Sequence, residues 1–210
     1  RLGLSGSGSV GSAHVSASAR TVGIDGLTLI DGPNGAARNY TLVGGTHTVT
    51  ITPRAVTANV VVQDKVYDGS IAATIGSRSL VGVIDGDSVV LAGGVAAFAD
   101  RNAGVDQRVD VGGLLLSGVA AGDYALQSTT LQTSATIRPR PLSAHATALD
   151  KLYDRSSAAT VGSLGLAGVI GSDAVTVAYA GATFDDMNAG ANKPVSVSGL
   201  RLAGAAAGNY

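Results

Sequence analysis

The chain has 210 residues, enough for one large domain or two ordinary ones, and is 45% apolar but only 14% charged, against a usual charged share of about a quarter. Its 14 basic and 15 acidic residues leave a net charge of −1, which excludes charge-driven disorder and gives no basic field for nucleic acid or an anionic membrane. Residues Ser156 to Ser172 carry no Asp, Lys or Arg, but glycines break that run short of a membrane span, and the absence of cysteine excludes disulfides and thiolate chemistry.

In chain order, Gly6-Ser7-Gly8-Ser9-Val10-Gly11 matches the Gly-x-Gly-x-x-Gly phosphate-binding pattern. That mechanism requires a helix next, yet Ser12 to Ala19 alternates Ser with Ala and Val as a strand would. Thr46, Thr48, Thr50 and Thr52 form a polar strand face opposed by His47, Val49 and Ile51, and Val56, Ala58, Val60 and Val62 share one face of a strand over Val56 to Gln63. Ala72-Ala73-Thr74 is read as a single helical turn. Further strands are expected at Ser88 to Leu91, Ala96 to Ala99, Arg108 to Leu116, Tyr124 to Gln127 and Leu131 to Ile137. The acids are all Asp, with no Glu, and the 30 glycines supply turns.

Self-similarity organises these elements. Asp64-Lys65-Val66-Tyr67-Asp68 returns as Asp150-Lys151-Leu152-Tyr153-Asp154, an offset of 86 residues (150 − 64), and residues 64–124 are identical to 150–210 at 33 of 61 positions. A third, partial copy lies upstream: Thr50-Ile51-Thr52-Pro53-Arg54 answers Thr136-Ile137-Arg138-Pro139-Arg140, and Tyr40 answers Tyr124 after a small shift. The frame is a partial repeat at 1–53 lacking its head, a complete repeat at 54–139 and a repeat at 140–210 short of its tail, so the natural chain is expected to continue at both ends. Seven of the eight aromatic residues fall at equivalent positions: Tyr67 with Tyr153, Phe98 with Phe184, and Tyr40 with Tyr124 and Tyr210. One set of large rings per period implies one private core per repeat, with Tyr124→Ala as damaging as truncation of a core phenylalanine. The expected fold is all-β, tandem small antiparallel β-sandwich (Ig-like) repeat units, stiffly joined at Pro139 and Pro141; the alternative is a β-sheet unit with one short packed helix.

Chemistry has few candidates. His14, His47 and His145 belong to different repeats at non-equivalent positions, so they read as solvated or partly packed strand residues. No Gly-x-Ser-x-Gly elbow is present and no acid–base pair can be proposed, so no catalytic, cofactor-binding or metal residue is assigned, no cofactor is expected, and the chain is not read as an enzyme. Asp85, Asp87, Asp100 and Asn102, with Asp173, Asp185, Asp186 and Asn188, have oxygen ligands suited to Ca²⁺ if their loops meet, although Asp and Asn at turns more often bond their own backbone. Lys65 and Lys151 are read as salt-linked to neighbouring Asp residues, with an isopeptide bond to Asn102 or Asn188 as the alternative. A left-handed Gly69 would make Arg155, its counterpart, costly.

The ordered set Asp-Lys-Val-Tyr-Asp-Gly-Ser at 64–70, Gly-Asp-Ser-Val at 86–89, Phe98 with Asn102-Ala-Gly104, Gly-Leu-x-Leu-x-Gly at 113–118, the turns ending at Tyr124 and Tyr210, and Ala-Thr-Ile-Arg-Pro at 135–139 resembles the YDG-type repeats of filamentous-haemagglutinin-like bacterial adhesins. The first repeat departs from that pattern, keeping Asn39-Tyr40-Thr41 but lacking the Phe and Asn-Ala-Gly element. The resemblance implies export from a Gram-negative cell to the cell surface or medium and a place in a long fibre. The chain would act there as a stalk or multivalent contact surface toward host-cell or neighbouring-cell molecules, packed against adjacent repeats of the same chain, without nucleic-acid binding or membrane insertion. The alternative is a Ca²⁺- or glycan-binding module on the loops of each repeat.

Overall fold

The computed structural model describes residues 1–44 and 47–210. Its described residues form strands joined by turns, with three single-turn 3-10 helices, so the fold is all-β as expected. The first repeat contributes β1 (Gly3–Gly6), β2 (Ser9–Val10), β3 (Arg20–Gly23), β4 (Leu27–Ile30) and β5 (Thr48–Val49). The second contributes β6 (Arg54–Val62), β7 (Lys65–Val66), β8 (Ala72–Ala73), β9 (Ile75–Val81), β10 (Val90–Phe98), β11 (Gly104–Ser117), β12 (Tyr124–Leu126) and β13 (Leu131–Arg138). The third contributes β14 (Ser143–Ala148), β15 (Val161–Ala167), β16 (Thr176–Ala178), β17 (Gly181–Phe184), β18 (Val195–Ser198) and β19 (Arg201–Ala203).

The complete repeat holds a three-stranded sheet, β12-β6-β9, and a five-stranded sheet, β7-β13-β11-β10-β8, a sandwich-like arrangement. Along β6 the period-two reading holds: Val56, Val60 and Val62 are buried while Thr57, Asn59 and Val61 are exposed. Two pairings are parallel, β12 with β6 and β13 with β7, which corrects the purely antiparallel expectation. Each parallel partner is reached by a long excursion of chain rather than by a hairpin.

The chain divides into two compact units, each drawing on more than one sequence repeat. One comprises residues 1–59, 78–93 and 114–129. Its core gathers Val56, Val89 and Tyr124, with Leu80, Val83, Leu116 and Leu126 against them. The other comprises residues 60–77, 94–113 and 130–210. There Tyr67, Phe98, Val109 and Ile137 are almost wholly buried.

Several local expectations are corrected. Ala72 and Ala73 are strand, paired with Ala97 and Ala96 of β10, so neither the helical turn nor a packed helix forms there; sheet pairing overrides the helix preference of alanine. Ser88 to Leu91 and Ala96 to Ala99 belong largely to one strand, β10, because Gly93 and Gly94 adopt φ of 67° and 91° and carry the chain through a bend without ending it. Residues 11–19 form no strand, and the Gly-x-Gly-x-x-Gly segment sits in β1, β2 and the turn between them, with no helix after it. Of the threonine face, Thr48 lies in β5 and Thr46 falls outside the described residues.

The three 3-10 turns, Ala37–Asn39, Ala121–Asp123 and Ala207–Asn209, each hand over to the recurrent tyrosine, so Tyr40, Tyr124 and Tyr210 are structural equivalents. Their burial differs: Tyr124 is buried, Tyr210 half-buried and Tyr40 60% exposed. Backbone detail also repeats. A Cβ at Gly118 would lie 2.4 Å from the Ser88 carbonyl oxygen, and one at Gly204 2.3 Å from that of Ala174, so both positions require glycine. Gly69 is left-handed at φ 77°, and Arg155 holds the same conformation at φ 64°. The third repeat therefore carries strain where the second does not.

Phe98→Ala should lower stability by about 3–5 kcal/mol, read as a drop in denaturant midpoint at unchanged slope. Arg155→Gly should raise stability by about 1 kcal/mol by removing the left-handed penalty, visible as a higher midpoint for the variant.

Candidate functional site

The recurrent residues converge where one repeat meets the next. At the head of the second repeat, the Lys65 ammonium donates to Asp68 Oδ1 at 2.8 Å, to the Ser70 carbonyl at 2.7 Å and to the Ala72 carbonyl at 3.1 Å. Asp68 Oδ1 also accepts the Ser70 N–H and hydroxyl at 2.9 Å, closing the Tyr67-Asp68-Gly69 turn. Lys65 stands 5.5 Å from the centre of the Phe98 ring, adding a cation–π contact. The third repeat rebuilds this arrangement with Lys151, Asp154 at 2.9 Å, the Ser156 carbonyl at 2.7 Å and Phe184 at 5.6 Å. The expected salt links are thus present. The Asn102 amide turns instead to Asp100 Oδ1 at 2.9 Å, so no isopeptide geometry forms with Lys65.

This turn leaves Tyr67 fully buried, and its hydroxyl donates to Asp173 Oδ2 at 2.8 Å, 106 residues away in the third repeat. Tyr210 donates to the same oxygen at 2.7 Å, and the Ile170 N–H donates to the Tyr210 hydroxyl at 2.8 Å. The two rings meet edge to face, 5.4 Å between centres and 78° between planes. Beside them, Asn209 Oδ1 accepts the Ala103 N–H at 2.8 Å and its amide donates to Asn102 Oδ1 at 3.0 Å. Residues of the Tyr-Asp-Gly turn and the Asn-Ala-Gly element of one repeat are therefore clasped by the Gly-Asn-Tyr turn and an aspartate of the next. This corrects the expectation of a private core: the recurrent tyrosine at the head of the second repeat is completed by the third, because a buried hydroxyl needs an acceptor that its own repeat does not supply.

The first junction repeats the tail of this design. Tyr124 donates to Asp87 Oδ2 at 2.5 Å and accepts the Ile84 N–H at 3.0 Å, matching Tyr210, Asp173 and Ile170. Asp123, the counterpart of Asn209, accepts the Val15 N–H at 2.6 Å and lies 2.6 Å from His14 Nδ1. His14-Val15 thus occupies the structural place of Asn102-Ala103. The first repeat has that element after all, written in other residues, and His14 is a junction residue rather than a strand residue.

The electrostatics follow the bonding. The hydroxyls of Tyr210 and then Tyr67 hold the Asp173 carboxyl below the usual range, and the His14 ring, then the Val15 N–H, do the same for Asp123. Burial and the bond to Asp173 push the Tyr67 phenol up, and the bond to Asp87, then burial, raises that of Tyr124. Of the acids weighed as Ca²⁺ ligands, Asp87 and Asp173 are engaged by tyrosines, Asp100 by Asn102, Asp185 by Lys193 at 3.4 Å, and Asp186 by Lys193 and the Asn188 N–H. Among the described residues no three His, Asp, Glu or Cys side chains gather as a metal-holding group. His47 and His145 are exposed and separate from these junctions.

A family model described as the YDG domain matches residues 52–131 and 138–210. The chain belongs to the YDG domain family. The matched segments take in both Tyr-Asp turns and both Tyr124-type turns of the complete and third repeats, while most of β13 falls between them. Searches of curated proteins and of solved structures find no match.

Because the Asp173 carboxyl is easier to ionise in the folded YDG junction than in the unfolded chain, its contribution is present above the unfolded value and lost as pH falls through the depressed folded one. Asp173→Asn should lower the melting temperature at pH 7 and show a smaller further loss than the parent on going to pH 3. An unchanged acid dependence would place the effect on other carboxylates. Tyr67→Phe, which keeps the ring and removes one hydroxyl, should give a smaller loss at pH 7 than Tyr67→Ala, by the same thermal measurement.

Proposed function

We propose that the chain is a structural and adhesive segment of an exported bacterial surface protein, in which YDG repeats interlock end to end and act as a stalk or multivalent contact surface without catalysis. The observation that carries this reading is the recurrent clasp: Tyr124 with Asp87 and Ile84, and Tyr210 with Asp173 and Ile170, each flanked by a residue, Asp123 or Asn209, that grips the preceding repeat. A contact built twice from equivalent positions is what propagation along an array requires, since each repeat then presents the surface that its successor needs. Weak contacts with host-cell or neighbouring-cell molecules would be multiplied along such an array. The resemblance to filamentous-haemagglutinin-like adhesins supplies the surface setting.

Antibodies raised against the full chain should label intact, unpermeabilised cells of the source organism and reduce adherence. Labelling that appears only after permeabilisation would overturn the surface reading.

A further inference from the structure

The second and third repeats carry the same residue at the turn that meets the recurrent tyrosine. Ile84 and Ile170 stand 86 residues apart, and each gives its N–H to the tyrosine hydroxyl of its own repeat, at 3.0 Å for Tyr124 and 2.8 Å for Tyr210. At the second junction the Ile170 side chain also reaches the Tyr67-Asp68-Gly69 turn of the preceding repeat, where a Cβ added at Gly69 would stand 3.0 Å from Ile170 Cγ2. Ordinary carbon–carbon contacts lie at about 3.5–4.0 Å. Gly69 is therefore held to glycine twice, by its left-handed φ of 77° and by the isoleucine of the next repeat.

The head of the third repeat keeps the residues that are clasped and changes this one. Tyr67, Asp68, Asn102 and Ala103 recur as Tyr153, Asp154, Asn188 and Ala189, whereas Gly69 becomes Arg155. Arg155 holds φ 64°, and Asp154 Oδ1 accepts the Ser156 N–H at 2.9 Å just as Asp68 Oδ1 accepts that of Ser70, so the backbone follows the same turn. The two heads differ here by a side chain. Its stem begins at the place where, in the second repeat, Ile170 comes to rest.

We propose that residue 69 is a specificity-determining position of the interlock, which selects the repeat that can dock on a given head. Glycine there admits a turn bearing isoleucine, as Gly69 admits Ile170; arginine, as at Arg155, rejects that turn and accepts one with a smaller side chain in the isoleucine's place. Because the second and third repeats both present isoleucine, neither fits a head of the Arg155 kind, and the order of repeats in an array is fixed by contact rather than left interchangeable. The selection acts by exclusion, since a head with arginine still offers the tyrosine and the asparagine that a docking repeat would grip. This deepens the interlocking reading and rests on it for the clasp alone, while the surface location is read separately by cell labelling.

The test is a double-mutant cycle in the full chain, Gly69→Arg with Ile170→Ala, read by melting temperature and by hydrogen exchange of the Ala103 N–H, which bonds across the junction to Asn209. Ile170→Ala keeps the N–H that the Tyr210 hydroxyl accepts and removes only the obstructing side chain. Gly69→Arg alone should lower the melting temperature by more than Arg155→Gly raises it, and should speed Ala103 exchange roughly tenfold or more. With Ile170→Ala present, the same substitution should cost no more than the left-handed penalty read from Arg155→Gly, and Ala103 should regain its protection. Gly69→Ala, with a shorter side chain at the same φ, should fall between the parent and Gly69→Arg. Equal losses in both backgrounds would overturn the proposal, as would a loss no larger than the Arg155→Gly gain; either result with Ala103 still protected in the parent leaves the clasp standing and removes only the selection between repeats. Ala103 exchanging in the parent at the rate of an open loop would overturn the clasp itself, and this proposal with it.

Discussion

A phenol ring can leave water only if its hydroxyl takes a hydrogen-bond partner with it, and that constraint organises this molecule. Tyr67 supplies a large ring where charged and aromatic residues are few, and the turn that buries it offers no acceptor for its hydroxyl. Asp173 fills that need and accepts Tyr210 at the same oxygen, so the burial of one ring fixes the position of the other. The edge-to-face contact between the rings and the Asn102–Asn209 pair beside them follow from bringing those two turns together. The Lys65 ammonium plays the complementary part on the near side, pinning the turn to its own carbonyls and lying against Phe98. What recurs from repeat to repeat is therefore a set of side chains that join neighbours as much as a set that fills a core.

Much of the fold could be read from the residues. The alternation along Val56 to Val62 and the chain from Leu131 to Arg138 reports strand because each has one dry face and one wet one. The 86-residue offset identified Tyr124 with Tyr210, Lys65 with Lys151 and Gly69 with Arg155 as equivalents, and the last pair shares its left-handed backbone at φ 77° and 64°. β9 escaped notice because most of Ile75–Val81 is exposed and its serines, glycine and arginine leave no apolar period. Ala72-Ala73 misled because intrinsic preference was the only local information, and a two-residue strand is made by its partner.

The site was less legible than the fold, for a physical reason. A period states which residues are equivalent; it does not state which residues touch. Tyr67 and Asp173 belong to different repeats and different motifs, so no local pattern links them. His14 was harder still, since an imidazole beside Asp123 and an asparagine beside Asn209 satisfy similar geometry with different chemistry, and sequence comparison scores them as unrelated. The parallel pairings of β12 and β13 were hidden likewise, because the strands concerned are distant along the chain.

The 106-residue separation between Tyr67 and its carboxylate partner has a temporal meaning. β7 and the turn after it appear early in the chain, β13 comes some seventy residues later, and Asp173 and Tyr210 later again. For a polypeptide that emerges amino end first, the head of each module stays wet and unfastened until the following module is made, and loop closure must precede the gain from burial. Consolidation then travels along the chain like a zipper whose slider is always one tooth behind the newest link.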